Sequence, residues 1–123
     1  MQNIEKPVVG RLSGVTVDSQ DPAALAAFWS ALLGGEVTEP LPGWRRVALP
    51  DGAPVLTLQP VPEPRAGKVR LHLDITVVDI TRAAAEVSDL GGTWKGERHD
   101  YPEGVVLTMT DPEGHEFCLV QYY

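Results

Sequence analysis

Two side chains of this 123-residue chain have the chemistry most open to use, the imidazole of His72 and the carboxylate of Glu116. Either can ligate a divalent ion. Together they can also serve as an acid–base pair, since an imidazole beside a carboxylate titrates close to neutral pH. A catalytic metal takes about three protein ligands and keeps an open position. The pair is therefore a partial set, to be completed by Asp74, a bound ligand or water. Asp74 is also a candidate base, and a plain His–Glu hydrogen bond lining a pocket is the reading without chemistry. Trp44 and Arg46 suit stacking on and hydrogen-bonding a flat ligand. The alternative is that Trp44 plugs a sheet face and Arg46 lies exposed. Tyr101 falls in a stretch, His99-Asp100-Tyr101-Pro102, that reads as a long turn, from which it would overhang the site. Cys118 has no adjacent base and reads as a small apolar lining residue.

His72 and Glu116 are singled out by an internal repeat. Leu33-Gly34-Gly35 recurs as Leu90-Gly91-Gly92, and Pro50-Asp51-Gly52 as Pro112-Glu113-Gly114, at offsets of 57 and 62 residues. Self-similarity of this kind marks a doubled supersecondary unit. Laid on each other, the halves match Gly14-Val15-Thr16-Val17 with His72-Leu73-Asp74-Ile75. They also match Pro54-Val55-Leu56-Thr57 with Glu116-Phe117-Cys118-Leu119. Where the second copy has His72 and Glu116, the first has Gly14 and Pro54, neither with a side-chain donor.

The elements that position these residues follow from pattern and punctuation. Residues 12–18 are β-branched enough for a strand. Asp21 and Pro22 then open a helix over residues 23–33, with Leu25, Phe28, Trp29 and Leu32 on one face, stopped by Gly34-Gly35. Three short strands follow at about 36–38, 44–49 and 55–59. The prolines and glycine of residues 60–67 make a stiff linker. The second half repeats the order: a strand over 69–77, a helix over 80–90 with Ala83, Val87 and Leu90 inward, and strands near 93–96, 105–110 and 116–121. Alternation puts His72, Asp74 and Thr76 on one strand face and Leu71, Leu73, Ile75 and Val77 on the other, under the helix. The expected fold is α+β. Two tandem β-α-β-β-β modules, about 11–61 and 69–121, form one domain over residues 1–123, a strongly curved, cup-like eight-stranded mixed sheet with the helices outside. Open edges and an uncovered apolar face point to a homodimer.

Composition narrows the partners. Ten Lys and Arg stand against 17 Asp and Glu, a formal net charge of −7, and Arg45-Arg46 is the one adjacent basic pair. Nucleic acid needs a clustered positive surface and is not expected. A single cysteine rules out an intramolecular disulfide and fits a reducing compartment. No charged-then-apolar leader opens the chain and no apolar run nears ~18 residues, so the cytoplasm is the expected compartment and no membrane partner is expected.

Several motifs together resemble the vicinal oxygen chelate superfamily, which includes glyoxalase I, bleomycin-resistance proteins, fosfomycin-resistance enzymes and extradiol dioxygenases. They are Val15-Thr16-Val17-Asp18 with Asp21-Pro22, Ala27-Phe28-Trp29 with Leu32-Leu33-Gly34, His72-Leu73-Asp74-Ile75, and Asp111-Pro112-Glu113-Gly114-His115-Glu116-Phe117. The likeness spans roughly residues 12–121 and is closest to small bacterial glyoxalase-like proteins. The resemblance implies a divalent metal held by His or Gln on the first strand and Glu on the last strand of each module. Carried over, it selects His72 and Glu116 and meets nothing at Gly14 and Pro54. Glyoxalase I activity is thereby disfavoured. The resemblance then implies a small-molecule-binding protein with a degenerate metal site, holding or sequestering an antibiotic or metabolite. Its pocket would be lined by Trp44, Arg46, His72, Asp74, Tyr101 and Glu116. The alternative is a metal-dependent lyase, isomerase or dioxygenase using His72 and Glu116, so the sequence leaves open whether the protein is an enzyme and whether it takes a divalent cofactor.

Overall fold

A computed structural model describes residues 12–67 and 71–123. The strand start expected at Val69 lies outside them. The chain order is β1 (Gly14–Ser19), α1 (Pro22–Leu33), β2 (Glu36–Thr38), β3 (Arg45–Ala48), β4 (Val55–Pro60), then β5 (Leu73–Thr76), α2 (Ile80–Asp89), β6 (Thr93–Tyr101), β7 (Gly104–Thr110) and β8 (Glu116–Tyr122). This is the expected doubled order. The eight strands fall into two hydrogen-bonded groups of four, β1-β4-β3-β2 and β5-β8-β7-β6. In each, the first and last strands run parallel and the other pairs antiparallel. Helix α1 packs on β3 and β4, and α2 on β7 and β8.

Local chemistry sets the helix ends. The Asp21 carboxylate accepts from the Ala24 amide at 3.2 Å, and Asp79 accepts from the Arg82 amide at 3.1 Å, each satisfying a donor the first turn would leave open. The two signatures of the repeat meet in space. A Cβ on Gly35 would lie 2.3 Å from the Ala48 carbonyl, and one on Gly92 2.6 Å from that of Thr110. The strand after each helix thus runs directly against its stop, and only glycine leaves room.

The modules differ where one is longer. Residues 93–110 form a hairpin five residues longer than its counterpart, residues 36–48. The extra length is strand: His99, Asp100 and Tyr101 belong to β6, not to a long turn, because pairing continues through His99↔Val106 to Tyr101↔Gly104. The turn itself is Pro102 and Glu103. A second difference corrects the overlay. Val47 pairs with Leu56, and its counterpart Met109 with Phe117, so the residue equivalent to Glu116 is Val55 and not Pro54. The turn of module one holds one more residue, with both Asp51 (φ 61) and Gly52 (φ 71) left-handed. His72 lies one residue before β5. Leu71 ahead of it is 72% exposed, and Leu90, capping α2, is 37% exposed, so neither is the inward residue the pattern suggested.

The modules are joined through a buried aromatic cluster. Phe28 and Trp29 of α1 meet Phe117 of β8 edge-on, with ring centroids 6.3 and 4.9 Å away. At the rim, Glu113 of the β7–β8 turn accepts hydrogen bonds from the Ser19 hydroxyl and from the Gln20 and Asp21 amides, at the start of α1. His115 beside it places Nδ1 2.9 Å from the Asp111 carboxylate and bonds the Asp18 backbone. Among the described residues no helix is long and apolar enough to cross a membrane.

Candidate functional site

The long hairpin gives module two a broad open face. Strand pairing puts Asp74, Cys118, Thr108 and Glu97 in one row across the sheet, and Thr76, Val120, Val106 and His99 in the next. Tyr122, Gly104 and Tyr101 form a third. Continued one step the other way, the same register brings His72 beside Glu116. Their side chains face each other, with His72 Nε2 3.9 Å from Glu116 Oε2.

Glu116 is buried, its side chain 8% exposed, and its second oxygen is engaged by a residue the sequence pattern did not single out. Lys95 Nζ lies 3.0 Å from Glu116 Oε1. Strand β6 bulges between Trp94 and Glu97, and Gly96 takes φ 83 there. A bulge re-aims its side chains, and this one delivers the Lys95 ammonium to the carboxylate. The available signal was a glycine inside a strand pattern, in Trp94-Lys95-Gly96-Glu97.

Two hollows lie along this face. One, about 400 Å³, is lined by Arg65, His72, Lys95, Glu97, Thr108 and Glu116. The other, about 350 Å³, is lined by Asp74, Tyr101, Glu103, Val106, Val120 and Tyr122. Asp74 and Thr108 share a row, so the hollows abut, one end charged and the other aromatic and apolar. Trp44 and Arg46 line neither; Arg46 is exposed beside Thr57 on module one and Trp44 is half-buried. Burial pushes the Cys118 thiol up, against a hydrogen bond with Thr108, and the carboxylates of Asp74, Glu116 and Glu97 act with burial. The thiol stays protonated and lines the face. His115 is bonded to Asp111 and to the Asp18 backbone and is committed to the module junction. A further hollow of about 430 Å³, between the linker and the β7–β8 turn, is lined by Asp18, Glu63, Arg65, Glu113 and His115. Glu113 and His115 there already join the modules.

The residues present do not fit a divalent ion. Gly14 and Val55 offer no side-chain donor, and the Lys95 ammonium sits against the carboxylate that would be a ligand, where it would repel a second cation. Among the described residues no group of three or more His, Cys, Asp and Glu side chains is placed to hold one.

Two β-α-β-β-β modules with an open polar face define the class of glyoxalase, bleomycin-resistance and dioxygenase proteins, the vicinal oxygen chelate fold. A family model for the glyoxalase-like domain matches residues 14–120, and the chain belongs to that family. None of the curated proteins matches it. Among solved structures, the chain is similar to a glyoxalase/bleomycin resistance protein/dioxygenase family enzyme from Burkholderia phytofirmans PsJN (TM-score 0.77, 15% identity, 93% of this chain and 100% of that one). It is similar also to the fosfomycin resistance protein FosX from Listeria monocytogenes (TM-score 0.76, 15% identity, 94% and 96%). A third is TnmS3, an antibiotic binding protein from Streptomyces sp. CB03234 (TM-score 0.67, 19% identity, 96% and 100%). At these identities the likeness is one of fold.

Proposed function

We propose that the chain binds a small molecule with a polar head and an aromatic or apolar body, an antibiotic or metabolite, along the open face of module two. It acts by holding that molecule, without a tightly held metal. One observation carries the reading: a charged hollow around His72, Lys95 and Glu116 abuts an aromatic one around Tyr101 and Tyr122 on a single sheet face. Pockets that combine apolar lining with a few placed polar groups are the usual small-molecule sites. Structural neighbours that resist fosfomycin or bind an antibiotic support the same class of ligand. A thermal-shift screen with fosfomycin, bleomycin, aromatic antibiotics and their precursors, followed by calorimetry on hits, tests it. Tyr101→Ala and His72→Ala are each expected to weaken a hit about tenfold, some 1.4 kcal/mol. Affinity unchanged in both variants contradicts this assignment of the face.

The second reading, a lyase, isomerase or dioxygenase working through a metal on His72 and Glu116, has in its favour that these two groups face each other at 3.9 Å. The Lys95 ammonium stands against it. The oligomer belongs to the same proposal. Strands β1, β2, β5 and β6 end their sheets, and Trp94 on β6 is 49% exposed. A homodimer would cover such edges, and light scattering that reads a single chain at micromolar concentration would remove it.

A further inference from the structure

The hollow around Glu116 has the parts of a metal site and a cation already in it. Glu116 is the most buried carboxylate of that hollow, yet Oε1 accepts from Lys95 at 3.0 Å and Oε2 faces His72. The lysine arrives on a bulge, in a strand that module one replaces with the three residues Glu36–Thr38, so its placement belongs to module two alone. An ammonium at this distance from a shielded carboxylate satisfies it electrostatically.

We propose that Lys95 is the resident cation of the site and sets its ligand class. It excludes divalent metals from His72 and Glu116, and it directs the hollow toward an organic anion, a carboxylate or phosphonate carried on an aromatic or apolar body. The other cation of the hollow points the same way. Lys95 and Glu116 neutralise each other, and Glu97 is a half-exposed carboxylate at the rim, 3.9 Å from His99. Arg65 donates to the Gly67 carbonyl, and among the described residues no carboxylate lies within salt-bridge distance of it. Arg65 is thus a second cation lining the hollow, against the exposed rim carboxylate Glu97. The Lys95 side chain is 37% exposed and its ammonium has three donors, of which Glu116 Oε1 takes one. Anions are held best by donors converging in this way, with a guanidinium among them. The anion half of the proposal rests on the face of module two being the binding site; the metal half does not.

Calorimetry of the whole protein with Ni²⁺, and separately with phenylphosphonate and benzoate, tests both halves in wild type, Lys95→Met and Arg65→Ala. The expected result is that Lys95→Met binds Ni²⁺ at least about tenfold more tightly than wild type, and that His72→Ala in the same background abolishes the gain. Phenylphosphonate or benzoate is expected to bind wild type and to lose about tenfold in affinity in both Lys95→Met and Arg65→Ala. Ni²⁺ bound equally by wild type and Lys95→Met overturns metal exclusion. Anion affinity unchanged in both variants, or no anion binding by wild type, overturns the ligand class, and a neutral ligand still bound by Tyr101 would leave the binding face standing. Lys95→Gln, which keeps a hydrogen-bond donor but no charge, replaces Lys95→Met if that variant does not fold, with the same outcomes.

Discussion

The Lys95–Glu116 pair is asymmetric, because the carboxylate is buried and the ammonium can turn to water. Removing the ammonium leaves a buried charge less satisfied, at a cost of about 1–3 kcal/mol, whereas removing the carboxylate frees a lysine that hydrates, at about 1 kcal/mol or less. Urea unfolding is therefore expected to rank Lys95→Ala below Glu116→Ala; the reverse order would mean the carboxylate is held chiefly by other groups. A second titrating residue acts outside the hollow. The Asp111 carboxylate hydrogen-bonded to His115 holds its imidazole above the ordinary value despite burial. A pKa raised in the folded state adds stability that is complete below the unfolded value of about 6.5 and fades as pH rises through the folded one. His115→Gln should accordingly cost more stability at about pH 5.5 than at about pH 8.5, read by urea midpoints at both. An equal loss at both would show that His115 contributes only through its neutral hydrogen bonds.

At the scale of elements, the glycines after each helix matter more than any residue within it. Gly35→Ala would force a methyl to 2.3 Å from the Ala48 carbonyl, whereas Gly52 has open space around it. The first substitution is expected to cost upwards of about 2 kcal/mol and the second about 1, the latter from its left-handed backbone alone. Thermal melts of the two variants check the order. These glycines were also what made the fold legible. Leu-Gly-Gly recurs because the same close approach is built twice, and Pro-x-Gly because the same left-handed turn is, at Gly52 and Gly114; helix caps at Asp21 and Asp79 follow from local rules that need no tertiary information. The candidate site was legible only in part. His72 and Glu116 stood out by type, and alternation placed both on one face. Lys95 did not, because a bulge breaks alternation and its partner is 21 residues away. Tyr101 reached the expected face by an unexpected route, along a strand, since hairpin length is set by cross-strand pairing. Trp44 and Arg46 share a strand face of module one by alternation, but alternation cannot say which hollow that face borders, and neither lines the one on module two. The one-residue slip between Pro54 and Val55 arose in a turn, where length is least constrained.

For the whole molecule, the two modules depend on each other. Trp29 is 2% exposed and contacts Phe117 across the junction, so it belongs to both cores. Trp29→Ala is expected to cost about 3–5 kcal/mol and to lower a single cooperative transition, monitored by circular dichroism. Two separated transitions would show modules that fold independently. The junction also fixes where the charged hollow sits, because the β7–β8 turn that leads into Glu116 is pinned to the start of α1 through Glu113. That hollow is central: its cation is a lysine of the chain itself. Metal content by mass spectrometry, after purification in medium supplemented with nickel, zinc, iron and manganese, examines this most directly. Well below one equivalent of any metal per chain is expected. About one equivalent, lost on substitution of His72→Ala, would contradict it.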